Sequence, residues 1–293
     1  MTPNINRRST LLRCALLLGS TLILGACADG FDETIEGPEV APTNVIDAAN
    51  LNELMLTVSD PADGVTYFQN AVGQNPDRLD LKRGYALSLS RARRHAEAAR
   101  VYEELSQTEV ADDILRIEYA HTLARLSRWD EAEEQMILVS PERETARRYI
   151  IVAMLADQRN EWEQADRAYE RARLLSTNPG TVLNNWGVSQ MSRGNYRQAQ
   201  RTFEEAVAFD PSLFSAKNNL AVSRALQGDY RLPIVTVTEV ERATLLHNIA
   251  VIALRRDDRE QAKGLLTMAL EAHPRHYTAA AEKLAALEAT VEN

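Results

Sequence analysis

Cysteine is nearly absent from this chain. Cys14 and Cys27 are the only two, and none follows residue 27. A disulfide scaffold and a cysteine-ligated zinc site are therefore excluded for the body of the protein. Glycine and proline are also scarce, at 12 and 10 of 293 residues, which excludes collagenous and low-complexity chains. Aromatic residues make up only 6%, so a core must rest mainly on alanine and leucine, a composition that favours packed helices. There is no positive excess. Lys and Arg number 33 against 42 Asp and Glu, for a formal charge of −9. A nucleic-acid binder needs a basic surface, so that class is set aside.

Sequence motifs for chemistry are missing as well. The chain has no G-x-G-x-x-G, G-x-x-x-x-G-K-[ST], H-E-x-x-H or G-x-S-x-G. His273 and His276 are three apart, but Pro274 interrupts the helix they would share. Acidic pairs such as Glu103-Glu104, Glu133-Glu134 and Glu204-Glu205 are adjacent, so they point to different sides of a helix and read as solvated faces. No nucleophile has a plausible base. The reading is of a protein that is not an enzyme, with no cofactor, no metal and no small-molecule substrate.

What is present begins with an address. Arg7, Arg8 and Arg13 precede an apolar run from Cys14 to Leu24, too short to span a bilayer. Residues 1–26 read as a signal peptide. The run ends Leu24-Gly25-Ala26-Cys27, which resembles the bacterial lipobox. That resemblance implies acylation of Cys27 as the first mature residue. Ala28 after it, rather than Asp, implies sorting to the periplasmic face of the outer membrane. Multiple acyl chains would hold the protein there far better than one. Residues 27–44 then read as an acidic tether. Ala28 to Asn44 holds five acids with Gly30, Gly37, Pro38 and Pro42, and no basic residue occurs between Ala28 and Asp77. As a coil, such a tether spans on the order of 20–25 Å.

A repeat fills residues 45–293. Small residues at Ala86, Ala120, Ala153, Gly187, Ala221 and Ala250 lie 34, 33, 34, 34 and 29 apart. Twelve residues after each comes Ala98, Ala132, Ala165, Ala199, Pro233 and Ala262 in turn. Four residues beyond these alanines stand Tyr102, Met136, Tyr169, Phe203 and Leu266. Two antiparallel helices that cross closely need a small residue at the crossing, with a large apolar neighbour to fill the remaining space. A lone pair cannot bury both faces, so pairs must stack.

The pattern resembles the tetratricopeptide repeat, and its best copy is Gly180 to Leu213, through Trp186-Gly187, Tyr196, Ala199, Phe203, Ala206 and Pro211. The fold class expected is all-α: a right-handed superhelical solenoid of about seven tetratricopeptide-like helix pairs with a C-terminal capping helix. Units are expected near 45–78, 79–112, 113–145, 146–179, 180–213, 214–242 and 243–276, with the cap at 277–291 and Ala279, Leu284 and Leu287 on its buried stripe. One unit departs. Pro233 takes the crossing position of the sixth unit, followed by the β-branched run Ile234-Val235-Thr236-Val237-Thr238. An extended or irregular segment is expected there in place of most of a helix, either as a tolerated deletion or as a docking edge for a partner.

The resemblance also places a binding surface. First helices of stacked pairs line a concave groove, and the groove positions beside the crossing residue are Asn184-Asn185, Asn218-Asn219 and His247-Asn248. Amides both donate and accept, so this row suits a peptide, or else ties one repeat to the next. The matching earlier pairs are Arg83-Gly84, Ile117-Glu118 and Ile150-Ile151, so the N-terminal half carries no such row. The overall plan is similar to the TadD-like lipoproteins of tight-adherence (Flp) pilus systems. Leu24 to Cys27, Asn218 to Ala221, and Gly228 to Pro233 leading to Leu246-His247-Asn248 carry that likeness. It implies a non-catalytic protein-binding scaffold that helps a secretin assemble. The partner would then be a secretin or another envelope assembly component, with the membrane touched through the lipid anchor alone. The rival reading is an adaptor recruiting proteases or cell-wall enzymes.

If Cys27 is the sole anchor, Cys27→Ser behind a cleavable signal should give a soluble periplasmic protein. Sedimentation of that variant with membranes after a high-salt wash would contradict the anchoring argument.

Overall fold

The computed structural model describes residues 48–57 and 59–289. The expected signal peptide, Cys27 and the tether lie outside them. Among the described residues there are fourteen helices and no strand. They run α1 (Ala48–Thr57), α2 (Pro61–Gln74), α3 (Leu79–Arg91), α4 (His95–Ser106), α5 (Asp113–Arg125), α6 (Trp129–Ile137), α7 (Ala146–Gln158), α8 (Trp162–Leu175), α9 (Gly180–Ser192), α10 (Tyr196–Phe209), α11 (Phe214–Leu226), α12 (Glu239–Arg255), α13 (Arg259–Ala272) and α14 (Thr278–Ala289).

The crossing residues are where the periodicity puts them. Ala86, Ala120, Ala153, Ala221 and Ala250 on the first helices are wholly buried, as are Ala98, Ala132, Ala165, Ala199 and Ala262 on the second. Tyr102, Tyr169, Phe203 and Leu266 fill the space beside them. Gly187 shows how tight the fit is. A Cβ there would lie 2.5 Å from Cε1 of Phe203, and at Gly84 one would lie 2.3 Å from Cε1 of Phe68 on α2.

The turn within each pair is equally regular. One residue enters the left-handed region in each of six units: Arg93, Ser127, Asn160, Gly194, Gly228 and Asp257, with φ between 59° and 87°. The next N–H reaches back over five residues, as in Arg94 N to Leu89 O (2.8 Å), Asn195 N to Gln190 O (2.9 Å) and Asp258 N to Ala253 O (2.9 Å). This closure satisfies a carbonyl at the end of each first helix. Four of the six positions hold a residue with a Cβ, at a cost of about 1–2 kcal/mol each, which the packing on both sides of the turn offsets.

Successive first helices pack against one another, α3 on α5, α5 on α7, α9 on α11 and α11 on α12, so they form the inner layer of the solenoid. The sixth unit makes its first helix, α11, and its turn, with Asp229 N bonded to Arg224 O at 3.1 Å. Then regular structure stops. Asp229 to Thr238 form an irregular strap with no second helix. Pro233 is buried, and Leu232, Val235 and Val237 pack on the core. The strap is pinned by the buried Lys217, whose Nζ donates to Thr236 O at 2.8 Å. Thr238 and Glu241 then form a capping box, which starts α12 at Glu239, four residues ahead of the unit boundary placed at 243. At the C-terminus Leu284 and Leu287 of α14 pack on the core, but the buried alanine is Ala280, while Ala279 is exposed.

Gly187→Ala should destabilise the fold by about 1–3 kcal/mol through overpacking against Phe203, although alanine is the better helix former. Phe203→Leu in the same chain should recover part of that loss. Urea unfolding of the two single variants and the double variant measures the coupling, and strictly additive values would place Phe203 elsewhere.

Candidate functional site: the inner groove

The six residues expected in the groove lie on α9, α11 and α12, three helices that stack side by side. Asn219 Nδ2 donates to Asn184 Oδ1 at 2.9 Å, and Asn248 Nδ2 donates to Asn218 Oδ1 at 2.6 Å. The rule is periodic: the second residue of each pair donates to the first residue of the pair before. His247 Nδ1 sits 3.3 Å from Asn248 Oδ1. Asn184 and Asn219 are about 1% exposed, so their mutual bond joins two repeats inside the stack.

Asn185 breaks the rule, and the reason is in the sequence. The residue one repeat before Asn184 is Ile150, which offers no acceptor. Asn185 therefore makes no link to the unit before it, and two polar atoms at this end of the row, Asn185 Oδ1 and Asn184 Nδ2, are buried with no partner in the protein. Three residues beyond each donor, on the same helix faces, stand Val188, Val222 and Val251. The C-terminal inner surface is thus a row of valines beside a row of amides. His247 closes it, with its Nε2 buried and unmet and its pKa lowered, chiefly by burial. Its ring lies 5.5 Å from that of Tyr277, which stacks in turn on His273 at 5.0 Å.

The N-terminal half is built with charge instead. Arg83 pairs with Asp112 at 2.9 Å and Arg147 with Glu118 at 2.6 Å, each link joining one unit to the next. The ion pairs consume the groups that would otherwise face a ligand. Between the halves, the Asp157 carboxylate accepts from Ser189 Oγ at 2.6 Å and Tyr169 Oη at 2.9 Å. Burial raises its pKa against those hydrogen bonds. The arrangement ties α7, α8 and α9 together and leaves Ser189 without a basic partner. Among the described residues, no cluster of His, Cys, Asp and Glu could hold a metal, and no helix is long and apolar enough to cross a membrane.

The tetratricopeptide repeat family model matches residues 56–112 and 184–231. A chain of the APC/C hetero-tetramer Cut9–Hcn1 superposes over 81% of this chain and 48% of its own, with a TM-score of 0.54 at 16% identity. This chain is a solenoid of tetratricopeptide-like helix pairs. It spans about half the length of that Cut9–Hcn1 chain. A tetratricopeptide repeat protein from Parabacteroides merdae is also similar, at 15% identity and a TM-score of 0.49 over 78% of this chain and 93% of its own. So is YrrB, described as a tetratricopeptide protein with an unusual peptide-binding site, at 15% identity and a TM-score of 0.37 over 74% and 96%. No curated protein matches the sequence. At these identities the likeness concerns the fold. Tetratricopeptide solenoids of this kind serve as protein-binding scaffolds, and the inner groove is the surface that the repeat presents.

Sequence reasoning missed Lys217 and the pairing within the amide row. Lysine inside an otherwise apolar helix was a usable signal for the first.

Asn219→Ala should cost about 1–3 kcal/mol, because it strands the buried Asn184 carbonyl. Asn185→Ala breaks no hydrogen bond and should stay within about 0.5 kcal/mol of the parent. Thermal unfolding of both, side by side, checks the assignment of bracing and free amides.

Proposed function

We propose that this protein is a non-catalytic scaffold held by acylated Cys27 at the periplasmic face of the bacterial outer membrane. There it helps assemble a secretin complex of a pilus or secretion system. The observation that carries the binding reading is the pair Asn184 and Asn185: a buried amide N–H group and a buried amide oxygen without partners, beside a row of valines at the head of the amide row. A buried polar group without a partner is costly unless a ligand meets it. A peptide backbone N–H laid over Val188 and Val222 would do so, while apolar side chains of the same peptide rest on the valines. The membrane part of the reading is supported by the Leu24 to Cys27 sequence. The assembly part is supported by the likeness to TadD-like lipoproteins described above.

The direct test is capture from detergent-solubilised outer membranes with the full acylated chain, compared with its Asn185→Ala variant. The parent should retain a secretin subunit. The variant should bind the same subunit about twofold to tenfold more weakly, the value of one neutral hydrogen bond. A periplasmic protease or cell-wall hydrolase in place of the secretin would favour the adaptor reading. Unchanged affinity in a folded Asn185→Ala variant would move the site out of this groove.

A further inference from the structure

The strap of the sixth unit covers the core but does not fill the place of the helix it replaces. A cleft of about 1040 Å³ remains beside it, bounded by the turn at Gly228 to Leu232, by α12 through Leu246, and by one face of α13. In the unit before it the equivalent face reaches the preceding second helix through an ion pair, Glu205 of α10 with Arg173 of α8 at 3.8 Å. The repeat register relates Arg201, Thr202 and Glu205 of α10 to Gly264, Leu265 and Met268 of α13. The Gly264 position is charged in α4, α6, α8 and α10, as Arg100, Glu134, Arg167 and Arg201, so a long charged side chain has been lost at the one unit whose neighbour is missing. Space over Gly264 is open, with nothing within 4 Å of where a Cβ would stand, and Met268 is 44% exposed. At the strap's apex Ile234 is fully exposed.

The charges around the cleft select among occupants. Asp229 is already held by Arg224 at 2.6 Å and by Arg231 at 2.8 Å, which leaves that edge with a net positive charge. Arg242, exposed at the first turns of α12, has no carboxylate within ion-pair distance among the described residues. Across the cleft stands Glu260. The chain's own second helices carry small apolar residues on one face and a pair of adjacent glutamates beside it, as at Glu103-Glu104 and Glu204-Glu205. A helix of that pattern would set carboxylates against Arg231 and Arg242 and alanine against Leu265 and Met268.

We propose that this cleft is a docking slot for an amphipathic, acidic α-helix from a protein partner, which completes the sixth unit in trans. The slot is separate from the inner groove, so a partner can be held at two places on one scaffold, with the gain in avidity that follows.

The probe is a fluorescent, helix-stapled peptide with the α4 sequence, His95 to Ser106, which carries three glutamates against one arginine, titrated into the full chain. Saturable binding is expected. Gly264→Trp, whose side chain would occupy open space, should keep the parent's melting temperature and weaken binding by about tenfold or more. Met268→Arg serves as a second block. A peptide with the adjacent glutamates, those of Glu103 and Glu104, changed to lysine should also bind more weakly, and Asn185→Ala should leave the affinity unchanged. Absence of saturable binding, or binding indifferent to both Gly264→Trp and Met268→Arg, would overturn the proposal. So would equal affinity for a proline-interrupted peptide of the same composition, since the strap would then be pairing with an extended strand.

Discussion

Everything in this structure depends on two helix backbones approaching closely enough to need a residue without bulk at the crossing. Ala86 with Ala98, Ala153 with Ala165, and Gly187 with Ala199 supply it, and all five alanines are wholly buried. The adjacent aromatic ring then has one place to go. Phe203 packs against Gly187, and Phe68 against Gly84. Because the approach is fixed, the length of the turn is fixed, and the left-handed residue at its centre recurs with the same period as the crossing. Interiors packed this densely do not tolerate drift, so a local rule repeated along the chain gives one regular solenoid.

Repeats that touch only their neighbours can be joined in different ways along one molecule. The N-terminal units are linked by ion pairs, Arg83 with Asp112 and Arg147 with Glu118. The C-terminal units are linked by neutral amides, Asn219 with Asn184 and Asn248 with Asn218. Partly exposed ion pairs contribute little to stability and leave a charged, self-paired surface. Amides leave a surface of mixed donors and acceptors, which is the kind a peptide backbone can meet. The groove therefore changes character near Asp157 to Asn185, where the bracing shifts from one kind to the other.

The same independence explains why the sixth unit survives its loss. In a globular core a missing helix would expose every layer. Here the damage is confined to one place. The strap buries Pro233 and packs Leu232, Val235 and Val237 partly buried on the core, Lys217 ties its backbone to α11, and the capping box at Thr238 restarts the helix. Gly264, where α4, α6, α8 and α10 carry Arg100, Glu134, Arg167 and Arg201, sets the face across the gap apart from the other repeats.

The period, the small crossing residues, the pairing of helices and the interruption at Pro233 were all determined by the sequence alone, because each depends on contacts between residues at fixed short separations. So was the presence of amides on the inner face. Which amide is braced and which is free was decided by the tertiary structure, since Asn219 meets Asn184 on the preceding helix and Asn185 meets no amide there. The burial of Ala280 rather than Ala279 has the same origin, as does the presence of Arg93, Ser127, Asn160 and Asp257 at left-handed positions where sequence favours glycine. A repeat pattern fixes what each unit must contain. The rotation between units, set by packing along the whole stack, fixes what each side chain meets.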